Sequence, residues 1–295
     1  MNKHMITLAA ALSLGVLAGC GGGSSTPSTS TSISGAVADG YLVGATVFLD
    51  KNGNYQPDSG EPATTTDANG AYSLTVDPAD VGKYPIVAMA IKGQTIDKDT
   101  NQAVPDSYLL SMPATAVSGT VSSNFISPMS TLIKEKMAAN PGMTFNEAMT
   151  QLRNQMNMPV GIDMMADYMA GSQSGANAAQ YQTMHTTAQQ MVGLMAGQGT
   201  LVMNGSSVNL NRYRGMMATI NSNMPAITAN AMNGLGMNSS FMTNMMKSMQ
   251  TQLGAVPMTG GFTNYSGMFR NMTGHGNFWT DAGTPMTPMR GGMMR

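Results

Sequence analysis

Near residue 125 the apolar residues of this chain stop recurring at every second position and begin recurring at every third and fourth. Period two belongs to a strand with one buried face; the three-four spacing belongs to a helix stripe. A chain that makes this switch once is expected to build a β region and then an α region. Before the switch, ISGAV (33–37), VGATVFL (43–49), AYSLTV (71–76), YPIVAMAI (84–91) and VPDSYLL (104–110) read as short strands. In 43–49, Val43, Ala45, Val47 and Leu49 would line one face, and Asn69-Gly70 is a hairpin signal. Turns at such close spacing predict a small Ig-like β-sandwich over 33–115.

After the switch, Ser127-Pro128 is a helix start, with a serine cap and proline at the first helical position. Met129, Leu132, Ile133 and Met137 form its apolar stripe. Thr144 and Glu147 form a capping box for a helix carrying Phe145, Met149 and Leu152. Asp163 is expected to cap a short helix with Met164, Met165 and Tyr168. Longer helices are predicted over about 176–196, 210–221, 225–234 and 239–253. The fold class is therefore multidomain β plus α: the sandwich, an all-α methionine-rich bundle over 116–253, and a tail, 254–295, with no period and no cap.

The first 19 residues read as a processing segment, with Lys3 and His4 before the apolar run ITLAAALSLGVLA, too short to span a bilayer. LAGC at 17–20 resembles the lipobox of bacterial lipoproteins. That resemblance implies cleavage before Cys20 and acylation there, palmitate included, with GGGSSTPSTSTS as a flexible tether within 20–32. Gly21 after the cysteine resembles an outer-membrane address. The expected location is the cell envelope, as an outer-membrane lipoprotein facing periplasm or cell surface, held to the membrane by its lipid. Cys20 is the only cysteine, so a disulfide within the chain and a thiolate metal cluster are excluded.

Residues 33–115 carry ten acids against four bases, and 116–295 five against nine, with only 10% of all residues charged. Bases this dilute do not suit nucleic acid. The expected partners are the membrane and an envelope protein or surface ligand.

The stretch DKNGNYQPDSGE, 50–61, sets an acid or amide at every second position at its start. Asp50, Asn52, Asn54, Gln56 (through its backbone), Asp58 and Glu61 stand at positions 1, 3, 5, 7, 9 and 12, the spacing of a calcium loop. Position 6 is Tyr55 where glycine is usual, and strand patterns rather than helices flank the loop. Two readings stand: a Ca2+ clip across a hairpin, or a polar turn whose side chains bond back to their own backbone. The order GAxVFLDxNGN, GEP, TDxNGxYSL resembles the prealbumin-like or Cna-B-type modules of bacterial surface proteins, including SdrD B-type repeats and carboxypeptidase regulatory-like domains. Membership would imply a seven-stranded sandwich with a structural or adhesive role, and no catalysis. NFISPMSTLIKEKM onward is similar to a helical segment that follows such modules in some bacterial lipoproteins.

Of 33 methionines, all but Met1, Met5 and Met89 lie from Met112 onward. Methionine packs irregular cores, and most of these residues hold core spacing. The alternative is soft-metal binding, since thioethers select Cu(I). Its candidates are Met242, Met245, Met246 and Met249 on one helix and Met286, Met289, Met293 and Met294 in the tail, with Met184–His185 as a mixed pair. No GxSxG, Walker loop, dinucleotide fingerprint or HExxH is present, so the chain reads as a non-enzyme. A catalytic reading would need a concave site with perturbed carboxylates around His185.

Overall fold

The structure, a computed structural model, describes residues 30–119 and 124–256. Strand β1 (Thr31–Val37) runs antiparallel to β5 (Ala71–Val76), with Ile33 opposite Leu74. It runs parallel to β10 (Phe125–Ile126), with Ala36 opposite Phe125. β5 alternates as its sequence demands: Tyr72, Leu74 and Val76 are buried, Ser73 and Thr75 exposed. At the β1–β10 join only glycine fits at position 35, because a Cβ there would stand 2.0 Å from the Asn124 carbonyl oxygen.

A second, antiparallel sheet has the order β4 (Ala63–Thr65), β3 (Thr46–Leu49), β6 (Ile86–Ala90), β9 (Tyr108–Met112). A small third sheet joins β2 (Leu42–Val43), β7 (Ile96–Asp97) and β8 (Gln102–Ala103). The single strand expected over 43–49 is thus two. Gly44 has φ of 73°, a left-handed residue that turns the chain between sheets, and Val47, Phe48 and Leu49 are all buried rather than alternating. The strand expected from 104 begins only at Tyr108, beyond Pro105.

β6 and β9 do not alternate either, because all five residues of each are buried. Strands apolar on both faces need cover on both. β10 packs against both strands, and helices α1 (Pro128–Ala139) and α4 (Ala178–Ala196) pack against β9. β9 is also an edge strand, and the first turn of α1 closes that edge. Ser111 N–H donates to Thr131 Oγ1 at 2.8 Å, and its carbonyl accepts from Ser130 Oγ at 2.7 Å. Ser130 also completes a capping box with Ser127. One pair of hydroxyls therefore serves the helix start and the sheet edge together.

α2 (Phe145–Gln155) opens on the expected Thr144–Glu147 capping box. The next cap is corrected from Asp163 to Asp167, which opens α3 (Tyr168–Gly171); Asp163 instead accepts from Met165 N–H in a preceding turn. The chain continues through α5 (Gly199–Val202), the hairpin β11 (Met203–Asn204) and β12 (Ser207–Val208), α6 (Leu210–Ser222), α7 (Met224–Met232) and α8 (Ser240–Ala255). One apolar core runs from Ile33 and Leu109 through Ile133 and Leu152 to Met217 and Met245. A mixed β region is followed by an α-helical region, and the core continues across the change.

Replacing Gly35 by alanine forces β1 away from Asn124 and should destabilise the protein by about 1–3 kcal/mol. Gly93→Ala, at φ of 72° but with open space around it, should cost only about 1 kcal/mol. Urea midpoints of the two variants check this ordering.

Candidate functional site

The acidic loop begins where β3 ends. Asp50 is 1% exposed, and its carboxylate gathers the turn: Oδ1 accepts from Gly53 and Asn54 N–H at 2.9 and 3.2 Å, and Oδ2 from Tyr55 N–H at 3.2 Å. Asn52 and Asn54 each accept from the backbone two residues on, at Asn54 and Gln56. Their amide N–H2 groups both donate to Asp58 Oδ2 at 2.7 Å. Glu61 closes the loop, accepting from Lys51 N–H at 2.6 Å and Asp58 N–H at 3.2 Å. The side-chain-to-backbone bonds of the polar-turn reading are thus present. Burial, as the first cause, raises the Asp50 pKa above the usual carboxylate value.

The donors are all hard oxygens, which suits a cation such as Ca2+. Tyr55 adds to that fit. Its φ is 61°, so the sixth residue takes the left-handed conformation a calcium loop needs although it is not glycine. For an L-residue this costs about 1–2 kcal/mol. Burying the ring offsets the cost by about 1.5–3 kcal/mol. Against the fit, amide nitrogens rather than a second carboxylate meet Asp58. Among the described residues no three His, Cys, Asp or Glu side chains converge as a metal group.

Tyr55 is fully buried and leaves the loop for the helices. Its ring lies 4.8 Å from that of Tyr213 on α6, and Lys134 Nζ stands 3.8 Å from its centroid. Its hydroxyl donates to Glu135 Oε1 and accepts from Lys134 Nζ; these two α1 residues pair at 3.0 Å. Sequence reasoning treated Tyr55 only as a missing glycine. A large aromatic inside a polar turn was the signal that the loop is anchored elsewhere.

A second polar cluster was not anticipated. Asp39 is 5% exposed beside the turn into β2 and accepts from Tyr108 OH at 3.1 Å. Burial, and then the Asp97 charge, push its pKa well above the usual value. Asp99, in the β7–β8 hairpin, meets His185 Nε2 of α4 at 2.6 Å and accepts from Gln189 Nε2 at 2.8 Å. The His185 hydrogen bond, as first cause, lowers the Asp99 pKa despite partial burial. Tyr168 OH donates to the Ala38 carbonyl, and its ring stacks on His185 with centroids 6.0 Å apart. Tyr41 OH donates to Asp167 Oδ2 at 2.7 Å. Of these two shifted carboxylates, Asp99 is the one bonded to His185, and Asp39 is held by Tyr108. Among the described residues its one hydrogen bond is to Asp99, so no hydroxyl nucleophile is paired with it.

Met242, Met245 and Met249 are buried in the core, and Met246 is half-buried. Met246 Sδ accepts from Gln198 Nε2 at 2.9 Å and lies where a Cβ on Gly197 would be, 2.5 Å away. Met237 occupies Gly193 on α4 in the same way. Met184 is buried, while His185 faces Asp99. Cys20, Met286, Met289, Met293 and Met294 lie outside the described residues, as does the tether up to residue 29; its last residues, Thr31 and Ser32, belong to β1. Among the described residues no helix is long and apolar enough to cross a membrane.

No known protein family, characterised protein or solved structure matches the chain.

Tyr55→Ala should cost about 3–5 kcal/mol by emptying the α1–α6 site, and Tyr55→Phe about 0.5–1.5 kcal/mol by removing one hydrogen bond from Glu135, which keeps Lys134. Chemical denaturation measures both.

Lys136 on α1 gives a pH test. It is 1% exposed with no partner for Nζ, and burial lowers its pKa to about 7. The unfolded chain then binds the extra proton between about pH 7 and 10, so stability rises with pH in that window, by on the order of 1 kcal/mol per unit. Lys136→Met should remove this rise and leave the protein more stable at pH 7; unfolding free energies at pH 7, 8 and 9 decide it.

Proposed function

We propose that this chain is a non-enzymatic, lipid-anchored protein of the cell envelope with a structural or interaction role, its β region a prealbumin-like module. The observation that supports this best is how its polar chemistry is used. The Tyr55–Glu135–Lys134 contacts and the Asp99–His185 contact each tie the β region to a helix. Both clusters look like fastenings rather than reaction centres, as a load-carrying or partner-presenting envelope domain requires. The LAGC sequence supports the anchor at Cys20. In cells, Cys20→Ala should abolish palmitate labelling and move the protein out of the membrane fraction. Labelling that survives the substitution would sink the anchor.

A second reading, calcium reinforcement of the loop, is favoured by the left-handed Tyr55. Asp50, Asn52, Asn54, Asp58, Glu61 and the Gln56 carbonyl would hold the ion, whose double charge would bind the loop's carboxylates together. Millimolar calcium should then raise the thermal midpoint of the native chain, and Asp58→Ala should cancel the increase. Titration with Cu(I) provides the contrast, because Met242, Met245 and Met249 are engaged in packing and should supply no tight site.

A further inference from the structure

Phe145, Met149 and Arg153 stand four residues apart on α2, so they share one face of that helix. The chain after α2 folds back along this face. Arg153 Nε donates to the Ile162 carbonyl at 2.9 Å, and the Arg153 carbonyl accepts from Met158 N–H at 2.9 Å. Between the helix and the returning segment lies a cavity of about 400 Å³. Ile162 and Met165, both buried, line it together with Phe145 and Met149. Arg153 and Asp163 supply its charges. The volume lies in the range of small-molecule sites, which are apolar with a few placed polar groups.

The two charges are available. None of the ion pairs among the described residues involves Arg153 or Asp163. Arg153 uses Nε on the Ile162 carbonyl, which leaves its Nη edge, the fork that pairs with a carboxylate, unused by that bond. Asp163 uses Oδ1 to hold Met165 N–H. The bond from Arg153 to Ile162 brings the guanidinium to the residue next to Asp163. Arg153 and Asp163 both line the cavity, so a cationic and an anionic group stand at an otherwise apolar site. Favourable placement of a basic residue near a helix C-terminus accounts for Arg153 alone, but not for an acid beside it over an apolar floor.

We propose that this cavity binds an apolar α-amino acid as its zwitterion. Arg153 takes the carboxylate, Asp163 the ammonium, and the Phe145–Met149–Ile162–Met165 surface the side chain. A fatty acid would meet the Asp163 charge as well as Arg153, and an amine would meet Arg153. Ala116, from the segment after β9, completes the wall, and the proposal does not depend on the envelope role.

Calorimetric titration of the native chain with L-leucine and L-phenylalanine tests this. Saturable binding is expected at millimolar ligand or below, about −4 kcal/mol or stronger. For L-phenylalanine, removing one charge, as in 3-phenylpropionate or phenethylamine, should weaken binding about tenfold or more, because one protein charge loses its partner. Arg153→Gln and Asp163→Asn should do the same. Met149→Trp fills the cavity without touching the Ile162 carbonyl and should abolish binding while the far-UV spectrum stays native; it keeps the test decisive if Arg153→Gln fails to fold. Absence of saturation by either amino acid, decanoate binding at least as tightly as phenylalanine, or binding undiminished in Met149→Trp would each overturn the proposal.

Discussion

Two adjacent strands, Ile86–Ala90 and Tyr108–Met112, are buried along their whole length, and the rest of the molecule follows from covering them. Left to itself, the β region would show water an apolar face and the open edge of β9. The first turn of α1 answers both problems. Its apolar stripe of Met129, Leu132 and Ile133 enters the core, and Ser130 and Thr131 satisfy the Ser111 backbone at the edge. An exposed apolar edge strand is an aggregation hazard, and covering it with a helix removes that hazard. Once α1 is held there, the remaining helices have a surface to build on.

Around that contact the polar residues act at long range. Tyr55 reaches Glu135, Asp99 reaches His185, and Tyr41 reaches Asp167, each joining the β region to a helix. Each tie removes polar groups from water, which is costly unless they are paired, so correct docking and satisfied hydrogen bonds become the same condition. Lys136 differs from these ties: its buried amine has no partner among the described residues. Its lowered pKa lets it be neutral near pH 7 instead of burying a charge.

Methionine has a comparable structural role in the helices. Gly193 on α4 and Gly197 at its C-terminal cap leave a shallow surface, and Met237 and Met246 fill it with flexible thioethers. A branched leucine has fewer ways to enter such a space. Packing accounts for Met242, Met245 and Met249, which are buried, while Met232 on α7 is 63% exposed.

The order of β and α segments, the Thr144–Glu147 box, the Ser127-Pro128 start and the acidic loop were all legible in the sequence, because periodicity, capping and Asx turns are set between residues a few positions apart. The break at Gly44 and the cap at Asp167 were misplaced, since neighbouring residues support either choice until the sheets and helices dock. The partners of Tyr55, the Asp99–His185 contact and the shared position of Arg153 and Asp163 at the α2 cavity could not be read from the sequence. These residues come to one place only after the chain folds back. Local chemistry determined which elements form; only the tertiary structure decided which polar groups face one another, because that depends on where the chain returns.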